Sequence, residues 1–188
     1  MPTICPSILA PSKEQYHEQM EKVAKFAERI QIDLTDGKFA GPPTIGPQDA
    51  WWPVGIKADF HLMYDSPGDA VDAILQHEPH MIIIHAEAKG DFMIFADRCK
   101  SLGIKSGVAL LAHTPPDILL AALDKIDHIL IFSGNLGEYG GHANIGLLDK
   151  VRFLKQHKPS LEIGWDGGVN DQNISALATG GIDIFDVG

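Results

Sequence analysis

Apolar runs alternate with amphipathic stretches along the whole chain, and that alternation predicts strands and helices in turn. Thr3 to Leu9 is an apolar run broken by Pro6 and reads as a first strand. Ser12 opens a helical pattern that continues through Arg29, with Gln15 three residues on as in a capping box. Ile30, Ile32 and Leu34 then alternate with Gln31 and Asp33 ahead of Thr35-Asp36-Gly37, the period of a strand running into a turn. A loop rich in Gly and Pro spans Gly37 to Pro47, and a short helix is expected at Gln48 to Trp52. The pattern then repeats. Ile56 to Leu62 is a strand with Asp59 and His61 on one parity, and Pro67 to His77 is a helix with proline in its first turn. Met81 to His85 is a continuous apolar run, as in a strand covered on both faces. Asp91 to Leu102 is a helix with Gly103 suited to the position after its end. Strand Lys105 to Leu110, helix Pro116 to Leu123 and strand His128 to Phe132 follow. A glycine-rich loop, Gly134 to Gly146, leads to helix Leu147 to His157, strand Leu161 to Asp166, helix Gln172 to Thr179 and strand Ile182 to Val187.

Eight strands in βα alternation, with no internal repeat or linker, favour a closed (β/α)8 TIM barrel in a single domain over residues 1–188. An open doubly wound sheet is the alternative. No eighth helix follows the last strand before Gly188. Ile182, Ile184 or Phe185 is therefore expected to be wetted unless the natural chain continues or a second subunit packs there, and a homo-oligomer is expected.

Composition narrows the function classes. A formal net charge of −10 over 188 residues argues against nucleic acid as a partner. No apolar stretch reaches the ~18 residues of a membrane span, so no membrane partner is expected. The N-terminus lacks the basic segment and apolar core of a signal peptide. Cys5 and Cys99 are too few for a disulfide framework, and a reduced, cytoplasmic setting fits.

The candidate chemistry lies at strand ends. In a parallel barrel both strand faces are covered, so polar residues at the C-terminal ends need partners or a task. Asp33, His61, His85 and Asp166 fall there, with Gln31 one pleat below Asp33. A single strand histidine is more often a hydrogen-bonded core residue than a ligand, and Asp36 beside Gly37 reads best as a turn carboxylate. Two carboxylates facing each other across a barrel mouth suit acid and base roles on opposite faces of a substrate, or a divalent metal held together with His61. Gly167-Gly168 follows strand seven, where barrel enzymes often bind phosphate on backbone N–H groups. The loop Gly134 to Gly141 suits the same task or a flexible connection, and its Glu138 would repel phosphate if it pointed inward.

Taken in order, these residues resemble the ribulose-phosphate 3-epimerase family along essentially the whole chain. The likeness is carried by Cys5-Pro6-Ser7-Ile8-Leu9-Ala10, Asp33 through Phe39 with Thr44-Ile45-Gly46-Pro47, and His61-Leu62-Met63. It continues through His85-Ala86-Glu87-Ala88, Gly137 through Gly141, and Asp166-Gly167-Gly168. The resemblance implies a barrel isomerase that inverts C3 of a phosphorylated ketose, typically ribulose 5-phosphate to xylulose 5-phosphate. It implies Asp33 and Asp166 as the acid/base pair, and Asp33, His61 and Asp166 as ligands of zinc, iron or manganese. Ser7, His61 and Met63 would contact the sugar, with phosphate on Gly140, Gly141, Gly167, Gly168 and Gly188. The chain departs from the family pattern at Gln31, where a metal-binding histidine is usual, so the metal is expected to be held weakly or not at all. Thr35 and Phe132 replace the usual methionines, and the segment Leu136 to Gly141 differs from Pro-Gly-Phe-Gly-Gly. Fold residues are kept while site residues change. A related barrel enzyme for another enediolate reaction, of aldol type, or a catalytically silent phosphosugar-binding paralogue therefore stands beside the epimerase.

Overall fold

The computed structural model describes residues 2–188. Its strands are β1 (Thr3–Leu9), β2 (Arg29–Thr35), β3 (Lys57–Met63), β4 (Met81–His85), β5 (Lys105–Leu110), β6 (His128–Phe132), β7 (Glu162–Asp166) and β8 (Ile184–Val187). All neighbours are parallel, and β8 pairs with β1 through Thr3–Ile184 to Pro6–Val187, closing the barrel and excluding the open sheet. The α-helices are α1 (Lys13–Val23), α2 (Gly68–Leu75), α3 (Phe92–Ser101), α4 (Leu148–His157) and α5 (Ile174–Thr179).

Several boundaries differ from the sequence expectation for visible reasons. The Ser12 hydroxyl does cap α1, accepting the Gln15 N–H at 3.3 Å. The helix ends at Val23, however, and not at Arg29. Lys25 and Phe26 donate to carbonyls three residues back, a tightening of the last turn. Arg29 is drawn into β2, because its guanidinium meets Asp59 and Glu162 inside the barrel. After β2 there is only a 3-10 turn at Pro47–Asp49, where a short helix was expected at Gln48 to Trp52. Pro116–Ala122 is also 3-10, and its buried residues Leu119 and Ala122 lie three apart, the repeat of that helix.

Strand alternation sorts the side chains. Ile30, Ile32 and Leu34 of β2 pack outward against the helical layer, while Gln31 and Asp33 turn inward. Inside, charged residues fill the N-terminal end, Ile83, Ala109 and Leu130 form an apolar middle, and polar groups line the C-terminal mouth. At the N-terminal end Arg29 Nε donates to Asp59 at 2.6 Å and its Nη2 to Glu162 at 2.8 Å, and His128 Nδ1 lies 2.9 Å from Glu162.

The expected wetting of β8 does not occur. Ile182, Ile184 and Phe185 are only 2%, 4% and 1% exposed. Ile184 shares the inward parity of Asp186, and Phe185 packs in the outer cluster with Trp165 and Leu177. The exposed apolar residue on that flank is instead Ile4, 59% exposed and the register partner of Phe185. Among the described residues, no helix is long and apolar enough to cross a membrane.

Candidate active site

Parallel strands all end at one mouth, so polar residues distant in sequence converge there. Gln31 sits below the mouth with its amide donating to Asp33 Oδ1 at 3.0 Å and to Asp166 Oδ2 at 2.8 Å. That bridge joins β2 to β7. His61 of β3 is fully buried, its Nδ1 2.8 Å from Asp33 Oδ1 and 3.7 Å from Asp166 Oδ2. Its Nε2 lies 2.9 Å from Nε2 of His85 on β4. One ligand atom from each of Asp33, His61 and Asp166 falls within 4.8 Å of the others, a spacing that could hold a metal ion.

The electrostatics follow from burial. Burial, and then the Asp33 charge, pushes Asp166 up to about 7, against the opposing pull of His61 and Gln31. Burial drives His85 down to about 4, so its imidazole is neutral at physiological pH. Burial alone would raise Glu87, but the His85 and Thr114 side chains and the Leu111 N–H outweigh it and hold the carboxylate near about 2.

Above these groups lies a cavity of about 270 Å³. Ser7, Met63, Gly140, Gly141, Gly167, Gly168 and Gly188 all line it, together with Asp33 and Asp166. His61 is placed beneath this wall, against the two aspartates. Gly167 and Gly168 have φ of 103° and 71°, left-handed values that favour glycine. A Cβ at Gly167 would collide with the Ser133–Gly134 backbone, which brings the loops after β6 and β7 together. Gly167→Ala is therefore expected to destabilise the fold by about 1–3 kcal/mol or more. Thermal denaturation would show it; an unchanged midpoint would mean the loops part without cost.

Departures from the family pattern acquire local roles. The Thr35 hydroxyl donates to the Ala40 carbonyl and accepts the Gly37 N–H at 3.2 Å, tying down the loop after β2. Asp36 is the expected turn carboxylate, accepting N–H groups of Lys38, Phe39 and Asp65 at 2.8–3.0 Å. The Phe132 ring lies beside His61 and His85, at centroid distances of 6.0 and 6.1 Å. Tyr139 latches the loop after β6, accepting the Leu9 N–H at 2.7 Å and donating to Gln19 at 2.9 Å.

Asp186 was not singled out from sequence, yet it lines the same cavity and is buried. Burial, then the charges of Asp166 and Asp59, raises it well above the usual carboxylate range, against the opposing pull of Cys5. The signal was present: an acidic residue lies near the C-terminal end of the last strand, as Asp33 and Asp166 do in theirs.

Comparison with known proteins gives the family and agrees with the fold. The Ribulose-phosphate 3 epimerase family model matches residues 3–188. The ribulose-phosphate 3-epimerase of Bacillus subtilis is 31% identical over 195 residues, covering 98% of this chain and 89% of that protein. That of Helicobacter pylori is 29% identical over 189 residues, covering 96% and 86%. Among solved structures, a mutant tryptophan synthase α-subunit from Pyrococcus furiosus superposes with a TM-score of 0.74 at 13% identity, covering 99% of this chain and 86% of that one. Phosphoribosyl anthranilate isomerase from Thermococcus kodakaraensis gives 0.63 at 12%, covering 100% and 88%. These last two are likenesses of fold alone. With a family match along all but the first two residues and a relative 31% identical over nearly its whole length, this chain belongs to the ribulose-phosphate 3-epimerase family of isomerases.

Proposed function

We propose that the protein inverts C3 of a phosphorylated ketose, interconverting ribulose 5-phosphate and xylulose 5-phosphate through an enediolate. The observation that carries this reading is the pairing of Asp33 on β2 and Asp166 on β7, bridged by Gln31, under a cavity lined by glycines. One aspartate takes the C3 proton from one face of the sugar. The electron pair passes into the adjacent carbonyl, giving the enediolate. The other aspartate returns a proton to C3 from the opposite face, and the configuration inverts. Asp166, raised to about 7, is suited to begin as the proton donor, with Asp33 as the acceptor. Ser7 and Met63 orient the sugar. Phosphate lies against the backbone of Gly140, Gly141, Gly167, Gly168 and Gly188, in a cavity wall without lysine or arginine among the described residues.

The carboxylates of Asp33 and Asp166 and the imidazole of His61 suit a divalent cation such as zinc, iron or manganese by donor chemistry and spacing. Such an ion supplies positive charge to the enediolate oxygens. Gln31 offers an amide where an imidazole would bind more strongly, and its N–H groups already serve both carboxylates. Gln31→His is expected to raise zinc affinity, read by metal analysis after dialysis against a chelator. Equal, chelator-resistant zinc in both proteins would show that Gln31 does not weaken the site.

The test of the reaction is incubation with ketose phosphates in heavy water, followed by NMR. Solvent deuterium at C3 of an epimerised pentulose phosphate is expected. A product of changed carbon number would instead mark an aldol-type enzyme, and recovery of unexchanged sugar with every ketose would overturn catalysis.

A further inference from the structure

Two buried polar atoms beside the site face each other with no hydrogen-bond partner: Nδ1 of His85 and Oε2 of Glu87, 3.4 Å apart. The other Glu87 oxygen accepts the Leu111 N–H at 3.0 Å. Lys150 fastens that loop by donating to the Leu111 and Thr114 carbonyls, both at 2.6 Å. The far edge of the His85 ring meets His61, Nε2 to Nε2, at 2.9 Å.

Proton placement in this string is constrained. A lone pair on His85 Nδ1 would face a buried carboxylate, whereas a proton there makes the contact attractive. A neutral imidazole has one N–H, so a proton on Nδ1 leaves His85 Nε2 as an acceptor. The proton between the rings must then come from Nε2 of His61. Nδ1 of His61 is then left bare toward Asp33 Oδ1 and Asp166 Oδ2, at 2.8 and 3.7 Å. That order is favoured only with a cation between them, since without one Nδ1 keeps the proton and donates to Asp33. Three basic atoms converge there.

We infer that Glu87 and His85 are positioning residues that set the tautomer of His61, so that its Nδ1, with Asp33 and Asp166, is presented to a divalent cation. The inference rests on the metal-assisted reading of the site given above. Metal-binding histidines are commonly oriented in this way by a partner on the other ring nitrogen, and losing such a partner typically costs about 10–100-fold in metal affinity.

The test uses the full chain labelled with 15N-histidine and needs no substrate, so an inactive enzyme and a wrong tautomer are separate results. NMR of the zinc-loaded protein is expected to show protons on His85 Nδ1 and His61 Nε2, whereas in the metal-free protein the His61 proton is expected on Nδ1, facing Asp33. A bare Nε2 on His61 in the zinc-loaded protein would overturn the inference without any variant. Glu87→Gln supplies the second readout. Its carbonyl can keep the Leu111 N–H while its amide N–H turns to His85, reversing the proton order along the string. Zinc affinity is expected to fall about 10–100-fold in the folded variant. Unchanged affinity with an unchanged His61 tautomer would overturn the assignment.

Discussion

Asp33→Asn and Asp166→Asn are each expected to lower epimerisation by about 10²–10⁴-fold with the barrel intact, the usual worth of a positioned acid or base. An amide is nearly the same shape as a carboxylate but accepts no proton at neutral pH. The Gln31 N–H groups now donate to both aspartates, and an amide oxygen at either position still accepts one of them. The fold therefore loses little. Asp166→Asn also removes a buried carboxyl raised to about 7 by burial and by Asp33. A carboxyl raised above its unfolded value is destabilising once ionised, so this variant is expected to melt no lower than the parent above pH 7. Deuterium exchange at C3 and a thermal melt, measured on the same preparations, separate chemistry from folding. Retention of most of the exchange in either variant would remove that aspartate from the mechanism.

Arg29→Met is expected to destabilise the folded protein by about 3–5 kcal/mol near pH 8, because it leaves two carboxylates without their cation at the closed end of the barrel. Arg29 contacts Asp59 at 2.6 Å and Glu162 at 2.8 Å. Burial raises Asp59 to about 7 even with Arg29 opposing it. Stability tied to Asp59 is thus fully present below its unfolded value and is lost as pH rises through about 7. Glu162 behaves oppositely. Burial alone would raise it, but bonds from His128 and Arg29 outweigh burial and hold it well below the usual range. Its contribution is present above the unfolded value and is lost only as pH falls through the depressed one. Without Arg29, Asp59 rises further and can take a proton at pH 5, so the deficit there is expected to be smaller than at pH 8, with the Glu162 share remaining. Urea titrations at the two pH values would decide it. An equal deficit would show that Asp59 does not carry the pH dependence.

Sequence reading placed the strands well and the helices less well. Strands β4, β5 and β6 fall where their apolar runs end. A run buried on both faces has sharp limits, because the first residue outside the barrel meets water. Helix limits were blurred at Arg29, where the side chain's ion partners are 30 and 133 residues away and leave no local trace. The 3-10 segments after β2 and β5 were likewise illegible. Their sequences suit a short helix, and the tighter turn is set by how the segment packs on the barrel.

The candidate site divides along the same line. Asp33, His61 and Asp166 were legible because a charged or imidazole side chain inward at a strand's end is costly without a purpose, and the glycine clusters because only glycine allows close backbone approach. Asp186 obeyed the same rule and was overlooked beneath the apolar count of its strand. What the sequence by itself determined is the alternation that makes a parallel barrel and the residue types gathered at its mouth, since both depend on local period and burial. Only the tertiary structure decided that Gln31 bridges Asp33 to Asp166, that His85 meets His61 edge to edge, and that Glu87 faces His85. Those contacts depend on barrel closure, which sets strands that are distant in sequence at hydrogen-bonding distance.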